Sequence, residues 1–123
     1  MQYLLLIYSN EVEYDARPQS EVAQTMAEYG TFTQGIVQNG NFKGGERLRP
    51  ISSATTVRVR NGKTMTTDGP FAETREQLGG YYMIEAKNLD EATAIAAKCP
   101  GARYGSIEVR PIWAMGPDNA YSD

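Results

Sequence analysis

The chain has 123 residues, a formal net charge of −3 and 41% hydrophobic residues, a composition typical of one globular domain with its own core. The negative charge argues against a nucleic-acid-binding protein, and no run approaches the ~20 apolar residues that cross a bilayer. The absence of histidine and the single cysteine exclude Ser-His-Asp catalysis, an intrachain disulfide, and zinc sites that need imidazole or several thiols.

The first 40 residues predict a buried strand and one long amphipathic helix. The run QYLLLIYS (2–9) is continuously apolar between polar flanks, as in a central strand, and the polar segment 10–18 predicts a loop. From 20 to 40, apolar residues recur at spacings of three and four, which is typical of one apolar stripe on a helix. That stripe contains Val22, Met26, Tyr29, Phe32 and Ile36.

Four residues refine the prediction for this helix. Ser20 is a suitable N-cap, and Gly40 suits the left-handed position just past the C-terminal end. Gly30 and Gly35 lie inside the helix, where each glycine costs up to ~1 kcal/mol relative to alanine. We expect both glycines to be points of close packing against a sheet.

The clearest local signal is a β-hairpin over residues 54–68. Asn61-Gly62 is the preferred pair for a two-residue type I′ turn, and alternating residues flank it. The turn fixes a register in which Thr55 lies opposite Asp68, and it divides the side chains between two faces. One face holds Thr55, Val57, Val59, Thr64, Thr66 and Asp68, and the other holds Arg58, Arg60, Lys63 and Met65.

The valine face of this hairpin is predicted to be the buried one. Asp68 is then expected to lean inward, where the chain enters the loop of the segment TTDGPFAETREQLGGYY (66–82). A buried carboxylate should be hydrogen-bonded or part of a cleft, because leaving it unpaired is costly. Asp-Gly-Pro is also a good turn sequence, in which the Asp side chain bonds backbone amides. The sequence therefore leaves two roles open for Asp68, a turn residue and a base or polar anchor.

The remaining segments supply three strands and a second helix. Strands are predicted at 41–50, 79–86 and 105–113. Residues 88–101 predict a helix, with Asn88 as N-cap of a capping box. The apolar face of this helix contains Leu89, Ala92, Ile95, Ala96 and Cys99. The position of Cys99 at the helix C-terminus raises its thiol pKa, so we interpret it as a core residue and not a nucleophile.

The predicted order of elements is β-α-β-hairpin-β-α-β. It fits an α+β fold, a ferredoxin-like split βαβ with an extra β-hairpin, in which an antiparallel sheet carries two helices on one face. The other face has no helix to cover it, and we expect a homodimer packed through this open sheet face. Residues 1–115 are expected to form a single domain, and the polar tail 116–123 is expected to fray. The apolar N-terminal run lacks the features of a signal peptide, so we expect a cytoplasmic protein.

Several segments resemble one known family. DGPFAETREQLGGYYMIEA (68–86) resembles the signature of the YCII-related proteins, in particular the branch with the Asp-Gly-Pro-Phe (DGPF) motif. The segments YLLLIY, GGERLRP, TVRVRNG, NLDEA and GSIEVRPI agree with it, so the resemblance extends nearly to Trp113. It implies a ferredoxin-like fold that forms a dimeric α/β barrel.

The resemblance implies no settled activity and no cofactor. Some relatives in the wider group carry a His-Asp pair that resembles an acid–base couple, but this chain has no histidine, so that mechanism does not carry over. The DGPF branch is associated with genes for extracytoplasmic-function sigma factors, which suggests a regulatory setting.

Matching the motif position by position gives the candidate site. Asp68 is the candidate catalytic residue, and no metal ligand is predicted. The candidate ligand-binding residues are Gly69, Pro70, Phe71, Glu73, Tyr81 and Arg110. Gly79 and Gly80 also match, and Arg75 stands where many relatives have lysine.

Each of these residues also has a structural interpretation. Tyr81 and Tyr82 lie on opposite faces of their strand, so at most one can face a cleft. The pairs Gly44-Gly45 and Gly79-Gly80 lack the context of a nucleotide site and are interpreted as a bulge and a strand entry. Glu73 belongs to a charge cluster that solvation alone would explain, and Arg110 could neutralise its surroundings or bind an anion.

Three hypotheses for function follow from the sequence. The first is a small-molecule site, catalytic or purely binding, in a barrel cleft bordered by the Asp68–Tyr81 loop. The second is a regulatory module that interacts with a sigma factor, and the third is a dimeric scaffold in which the motif is only a turn. The first is placed ahead because folds of this kind leave a cavity between sheet and helices, which is an argument from fold analogy.

Overall fold

A four-stranded antiparallel sheet forms the centre of the computed structural model, which describes residues 1–116. Its strands are β1 (Gln2–Ser9), β2 (Phe42–Arg47), β5 (Gln77–Glu85) and β6 (Ser106–Pro111), in the spatial order β2-β5-β1-β6. The polar tail 116–123 is predicted to fray, but from Pro117 onward it lies outside the described residues.

Three helices and a hairpin complete the part of the chain that the structure describes. The helices are α1 (Glu11–Asp15), α2 (Gln19–Gln38) and α3 (Leu89–Lys98), and short 3₁₀ turns lie at Ile51–Ser53 and Pro100–Arg103. Strands β3 (Thr55–Arg60) and β4 (Lys63–Asp68) pair with each other as a separate two-stranded sheet. The two long helices each connect strands of the four-stranded sheet, which confirms the predicted α+β, ferredoxin-like arrangement. No helix within residues 1–116 is long and apolar enough to span a membrane.

The core lies between α2, α3 and one face of the sheet. On the sheet the buried side chains include Tyr3, Leu5 and Ile84, which alternate along their strands as one face requires. The helices contribute Phe32, Ile36, Ala92 and Ala96, and Cys99 is fully buried. The predicted stripes are confirmed at these positions, but Met26 on α2 and Leu89, at the first turn of α3, are exposed.

The start of the helical region differs from the prediction. Residues 11–15 form α1 and not a loop, because the Asn10 side chain accepts a hydrogen bond from the Glu13 N–H at 3.0 Å, which caps the helix. The N-cap of α2 is Pro18, without a side-chain cap, so Ser20 lies inside the first turn and the predicted cap is wrong. A proline is tolerated there because the first N–H groups of a helix have no intrahelical partner.

The predicted roles of the helix glycines are confirmed at one position and wrong at two. Gly40 has φ +79°, the left-handed conformation expected after a helix. A Cβ atom placed on Gly30 or Gly35 would meet no atom within 4 Å, so neither glycine is a point of close packing. Both positions have room for a side chain.

The hairpin confirms the predicted turn and register. Asn61 and Gly62 have φ +51° and +75°, as a type I′ turn requires, and Thr55 lies opposite Asp68. The burial prediction is wrong for this chain, because Val57 is 58% and Val59 57% exposed. The reason is that β3 and β4 lie outside the four-stranded sheet, so no helix within residues 1–116 covers the valine face.

The sheet face opposite the helices has an apolar centre. Leu4 and Leu6 alternate with the buried Tyr3 and Leu5, and they pair across β1 and β5 with Met83 and Tyr81. On β6, Arg110 lies opposite Leu4 and Glu108 opposite Leu6. We call Leu4, Leu6, Tyr81 and Met83 the open-face cluster.

Candidate functional site

A cavity of about 420 Å³ opens between α2 and the β2–β5 side of the sheet. This volume is within the usual range of small-molecule sites. Its apolar wall comes from both layers: Met26 and Tyr29 lie on α2, Phe42 on β2, and Tyr82 on β5. The ring of Tyr82 packs edge-on against Phe42 at a centroid distance of 6.3 Å. This is a favourable geometry for an aromatic pair, and it holds the two rings in place at the cavity wall.

Glycines of β2 and β5 line another part of the cavity. A Cβ atom on Gly45 would lie 2.9 Å from the Tyr81 carbonyl oxygen, and one on Gly80 would lie 2.8 Å from the Glu46 carbonyl oxygen. Only glycine allows the two strands to approach this closely. Gly45, Gly79 and Gly80 line the cavity without adding side chains to it.

Two hydroxyl groups form the polar part of the cavity wall. Thr33 Oγ1 and Tyr82 Oη lie 2.6 Å apart, so one hydroxyl donates a hydrogen bond to the other. Burial raises the pKa of Tyr82 above its ordinary value of 10.0. Both groups are therefore neutral at pH 7 and act as hydrogen-bonding groups, not as bases.

A third hydroxyl in the cavity wall, that of Tyr29, lies toward α3. Its Oη accepts a weak hydrogen bond from Cys99 Sγ at 3.8 Å, and burial raises the pKa of Tyr29 strongly. Burial also raises the pKa of the Cys99 thiol. This direction agrees with the sequence-based prediction, although its main cause is desolvation and not the helix dipole. Cys99 is a core residue in the described structure.

Charged residues surround the cavity mouth. Arg47 extends from β2 toward α2, and its Nη1 lies 3.9 Å from the Met26 sulfur. Arg49 also lines the mouth, and Glu11 and Asp15 face the cavity from α1. Both carboxylate oxygens of Glu11 accept from the Ile51 N–H at 3.1 Å, so this carboxylate is held at the 3₁₀ turn.

The second half of the motif loop holds α1 at the cavity. Asn10 Nδ2 donates to the Arg75 carbonyl at 3.0 Å, and the Glu11 N–H donates to Gln77 Oε1 at 2.9 Å. Gln77 Nε2 in turn donates to the Thr74 carbonyl at 2.7 Å. The segment 74–77 therefore fixes one wall of the cavity through hydrogen bonds between side chains and backbone groups.

The residues predicted from the motif do not come together in this chain. Gly79, Gly80 and Tyr81 border the cavity, but Tyr81 pairs with Leu6 and its side chain belongs to the open-face cluster. Asp68, Pro70 and Glu73 are exposed, Phe71 is 82% exposed, and none of them lines the cavity. Arg110 is exposed and pairs with Leu4 on the open face. The expected cleft is thus bordered by the end of the Asp68–Tyr81 loop and not by its beginning.

The start of the motif closes the hairpin instead. The Gly69 N–H donates to the Ala54 carbonyl at 2.7 Å, and Thr56 Oγ1 donates to the Gly69 carbonyl at 2.8 Å. Gly69 has φ +107°, a conformation that is strained for any other residue. Within residues 1–116 the Asp68 carboxylate has no hydrogen-bond partner, so the expected side-chain turn bond is not observed.

Sequence reasoning missed Thr33, Arg47 and Phe42 as parts of a cavity. Met26 and Tyr29 were assigned to the helix stripe, and the two glycine pairs were interpreted only as a bulge and a strand entry. A signal was present in those pairs, because glycines on two adjacent strands leave a wall without side chains. Their adjacency is a property of the sheet order, which the local sequence does not contain.

The fold and the cavity define an α+β, ferredoxin-like protein with a cavity between its sheet and one helix. The model of the YCII-related domain matches residues 1–116, and the chain belongs to this family. It is 38% identical over 119 residues to the uncharacterised protein R00369 of Rhizobium meliloti (strain 1021), a match that covers 95% of this chain and 96% of that protein.

One solved structure is similar in fold. It is the 5-chloro-2-hydroxyhydroquinone dehydrochlorinase (TftG) of Burkholderia phenoliruptrix AC1100, in complex with 2,5-dihydroxybenzoquinone. The TM-score is 0.51 at 16% sequence identity, and the match covers 97% of this chain and 99% of that one. At this identity the likeness concerns the fold alone. In the described part of the chain, no three His, Cys, Asp or Glu side chains are grouped so that they could hold a metal ion.

Proposed function

We propose that this protein binds, or acts on, a small molecule in the cavity between α2 and the β2–β5 strands. The observation that carries the proposal is the cavity itself, about 420 Å³ with aromatic walls and a hydroxyl pair. Apolar walls with a few placed polar groups are the usual form of a small-molecule site. The solved structure of similar fold holds 2,5-dihydroxybenzoquinone, a small planar molecule, which is consistent with such a use of the fold.

A thermal-shift screen against a broad metabolite set tests this function. Met26→Trp is the variant that should fill the cavity mouth, since Met26 lines the cavity and its side chain is partly exposed. A compound that stabilises the wild type and Asp68→Asn, but not Met26→Trp, would support the cavity as the site. Compounds whose stabilising effect is lost only in Asp68→Asn would indicate that the binding site is at the motif loop. A screen without any stabilising compound would contradict the proposal.

We also propose that two copies pack through the open-face cluster. Leu4, Leu6, Tyr81 and Met83 form an apolar centre with charged neighbours such as Glu108 and Arg110, which is the general form of a protein interface. Sedimentation of the wild type should give a dimer, and Leu6→Lys should give a monomer. Val12→Lys, at an exposed position of α1, is the matched control and should stay dimeric. A monomeric wild type at micromolar concentration would refute the interface.

A second candidate function is protein interaction through the hairpin. Val57, Val59 and Phe71 are exposed apolar side chains outside the open-face cluster, as an interaction module for an extracytoplasmic-function sigma factor would require. Co-expression should then give a stable complex that is lost when Val57 and Val59 are replaced by serine. Failure of the wild type to associate at micromolar concentration would contradict this second function.

A further inference from the structure

The shape of the cavity selects for a flat ligand. Gly45, Gly79 and Gly80 present backbone to the cavity, and Phe42 and Tyr82 present aromatic rings. The Tyr82 ring covers Gly45, because a Cβ atom on Gly45 would lie 3.0 Å from Tyr82 Cδ1. A planar ligand ring would therefore pack against the Phe42 and Tyr82 rings and lie beside the bare backbone of Gly79 and Gly80. Aromatic walls add edge-on or offset contacts with such a ring. A saturated, puckered ring of the same size would make fewer of these contacts.

The hydroxyl pair supplies polar contacts to the ligand. Thr33 Oγ1 and Tyr82 Oη share one hydrogen bond at 2.6 Å. Each hydroxyl has one proton and two lone pairs, so the pair retains one proton and several lone pairs for a ligand. A phenolic hydroxyl or a carbonyl oxygen on the ligand could use either of them.

Two arginines, Arg47 and Arg49, line the mouth of the cavity, and Arg47 is the one that contacts α2. The Arg47 Nη1 contact at 3.9 Å is to the Met26 sulfur, and a thioether is only a weak acceptor. In the described range, Arg47 has no carboxylate within ion-pair distance, whereas Arg17 and Arg103 do. Glu11 and Asp15 at the same mouth would repel a second negative group. The mouth therefore suits a ligand with a single anionic group near Arg47.

We infer that the cavity takes a planar aromatic molecule that carries one anionic group and one hydroxyl or carbonyl oxygen. Arg47 binds the anionic group, and the Thr33–Tyr82 pair bonds the oxygen. This inference rests on the proposed function, because it names the ligand class of the same cavity. It extends that function by assigning Arg47 as the residue that selects the charge of the ligand.

Calorimetric titration with three related probes tests the ligand class. The probes are para-hydroxybenzoate, its neutral counterpart para-hydroxybenzyl alcohol, and the puckered acid cyclohexanecarboxylate. The wild type should bind para-hydroxybenzoate about tenfold more tightly than either of the others, as the loss of a charge-assisted contact or of ring stacking predicts. Equal affinity for the acid and the alcohol would overturn the assignment of an anionic ligand, and equal affinity for the two acids would overturn the aromatic one.

Two arginine variants test the role of Arg47. Arg47→Gln should weaken binding of para-hydroxybenzoate about tenfold and leave binding of the alcohol unchanged. Arg60→Gln is the matched control, because Arg60 is an exposed strand arginine of the hairpin that does not line the cavity, and it should bind like the wild type. An Arg47→Gln protein that binds the acid like the wild type would overturn the role of Arg47.

The failure of this inference and the failure of the proposed function give different results. If no aromatic acid binds, the ligand class is wrong. The function still stands if other metabolites stabilise the wild type and Asp68→Asn but not Met26→Trp. If no compound of the screen depends on the cavity, the proposed function itself fails.

Discussion

The hydroxyl oxygens of Thr33 and Tyr82 lie 2.6 Å apart and join α2 to β5 at the cavity wall. The two residues are 49 positions apart in sequence. The ring of Tyr82 also packs edge-on against Phe32, with a centroid distance of 5.3 Å. The pair therefore contributes both to the packing of the helix on the sheet and to the polarity of the cavity.

Removing both members of this pair should cost less stability than the sum of the two single removals. Tyr82→Phe or Thr33→Val leaves the other partly buried hydroxyl without its partner, which costs about 1 kcal/mol of unfolding free energy. The double variant removes both polar groups and should lose less than the sum of the single losses. Urea denaturation of the four proteins measures this coupling, and strictly additive losses would show that the hydrogen bond contributes nothing.

Replacing glycine by alanine should raise the unfolding free energy at one position and lower it at another. Gly30→Ala should stabilise the protein by up to ~1 kcal/mol, because it adds a good helix former where no atom lies within 4 Å. Gly101→Ala should destabilise it by about 1–3 kcal/mol, since the new Cβ would lie 2.6 Å from Tyr29 Oη and 3.0 Å from Ile7 Cγ2. Thermal and urea unfolding compare the two. A stabilising Gly101→Ala would show that the 3₁₀ turn at Pro100–Arg103 can move away from α2 and β1 without cost.

Two adjacent motif residues should differ sharply in their effect on stability. Asp68→Asn should change the unfolding free energy by less than about 0.5 kcal/mol, because the exposed carboxylate has no hydrogen-bond partner within residues 1–116. Gly69→Ala should cost about 1–3 kcal/mol, because φ is +107° at this residue. Urea denaturation of each variant provides the measurement. A large loss in Asp68→Asn would instead mean that this carboxylate is bonded in the assembled protein.

Stability should fall as the pH rises above about 9. Burial raises the pKa of Tyr29, Tyr82 and Cys99, so these groups stay protonated in the folded state while the unfolded chain releases its protons near the ordinary values. The unfolded state then binds fewer protons, and the free energy of unfolding decreases with pH. Tyr104 acts in the opposite direction, because Arg103 lowers its pKa.

Urea denaturation between pH 7 and about 10.5 measures this decrease, since the range spans the ordinary values of the thiol and the phenols. Tyr29→Phe removes the phenol with the strongly raised pKa, so its stability should fall less steeply with pH than that of the wild type. An equally steep fall in the variant would show that Tyr29 does not carry the effect.

Local sequence determined the features that a few neighbouring residues decide. The type I′ turn at Asn61-Gly62 and its register were predicted because two positive φ values suffice to set the strand pairing. Asn88 was predicted as an N-cap, and its side chain accepts from the Glu91 N–H at 3.0 Å. Such bonds form between residues three or four positions apart, so they can be predicted from the local sequence.

The tertiary structure alone decided burial and the location of the cavity. Val57 and Val59 alternate with polar residues in the same way whether or not a second layer covers them. No layer formed by residues 1–116 does so here. The cavity requires β2 beside β5 and α2 above them, so Gly45, Thr33 and Tyr82 meet only after non-local strands pair. The sequence determined the secondary-structure elements and their ferredoxin-like order. The packing of these elements determined which surfaces are exposed to solvent and where a cavity for a small molecule lies. Packing depends on contacts between residues far apart in the chain, which local sequence patterns do not contain.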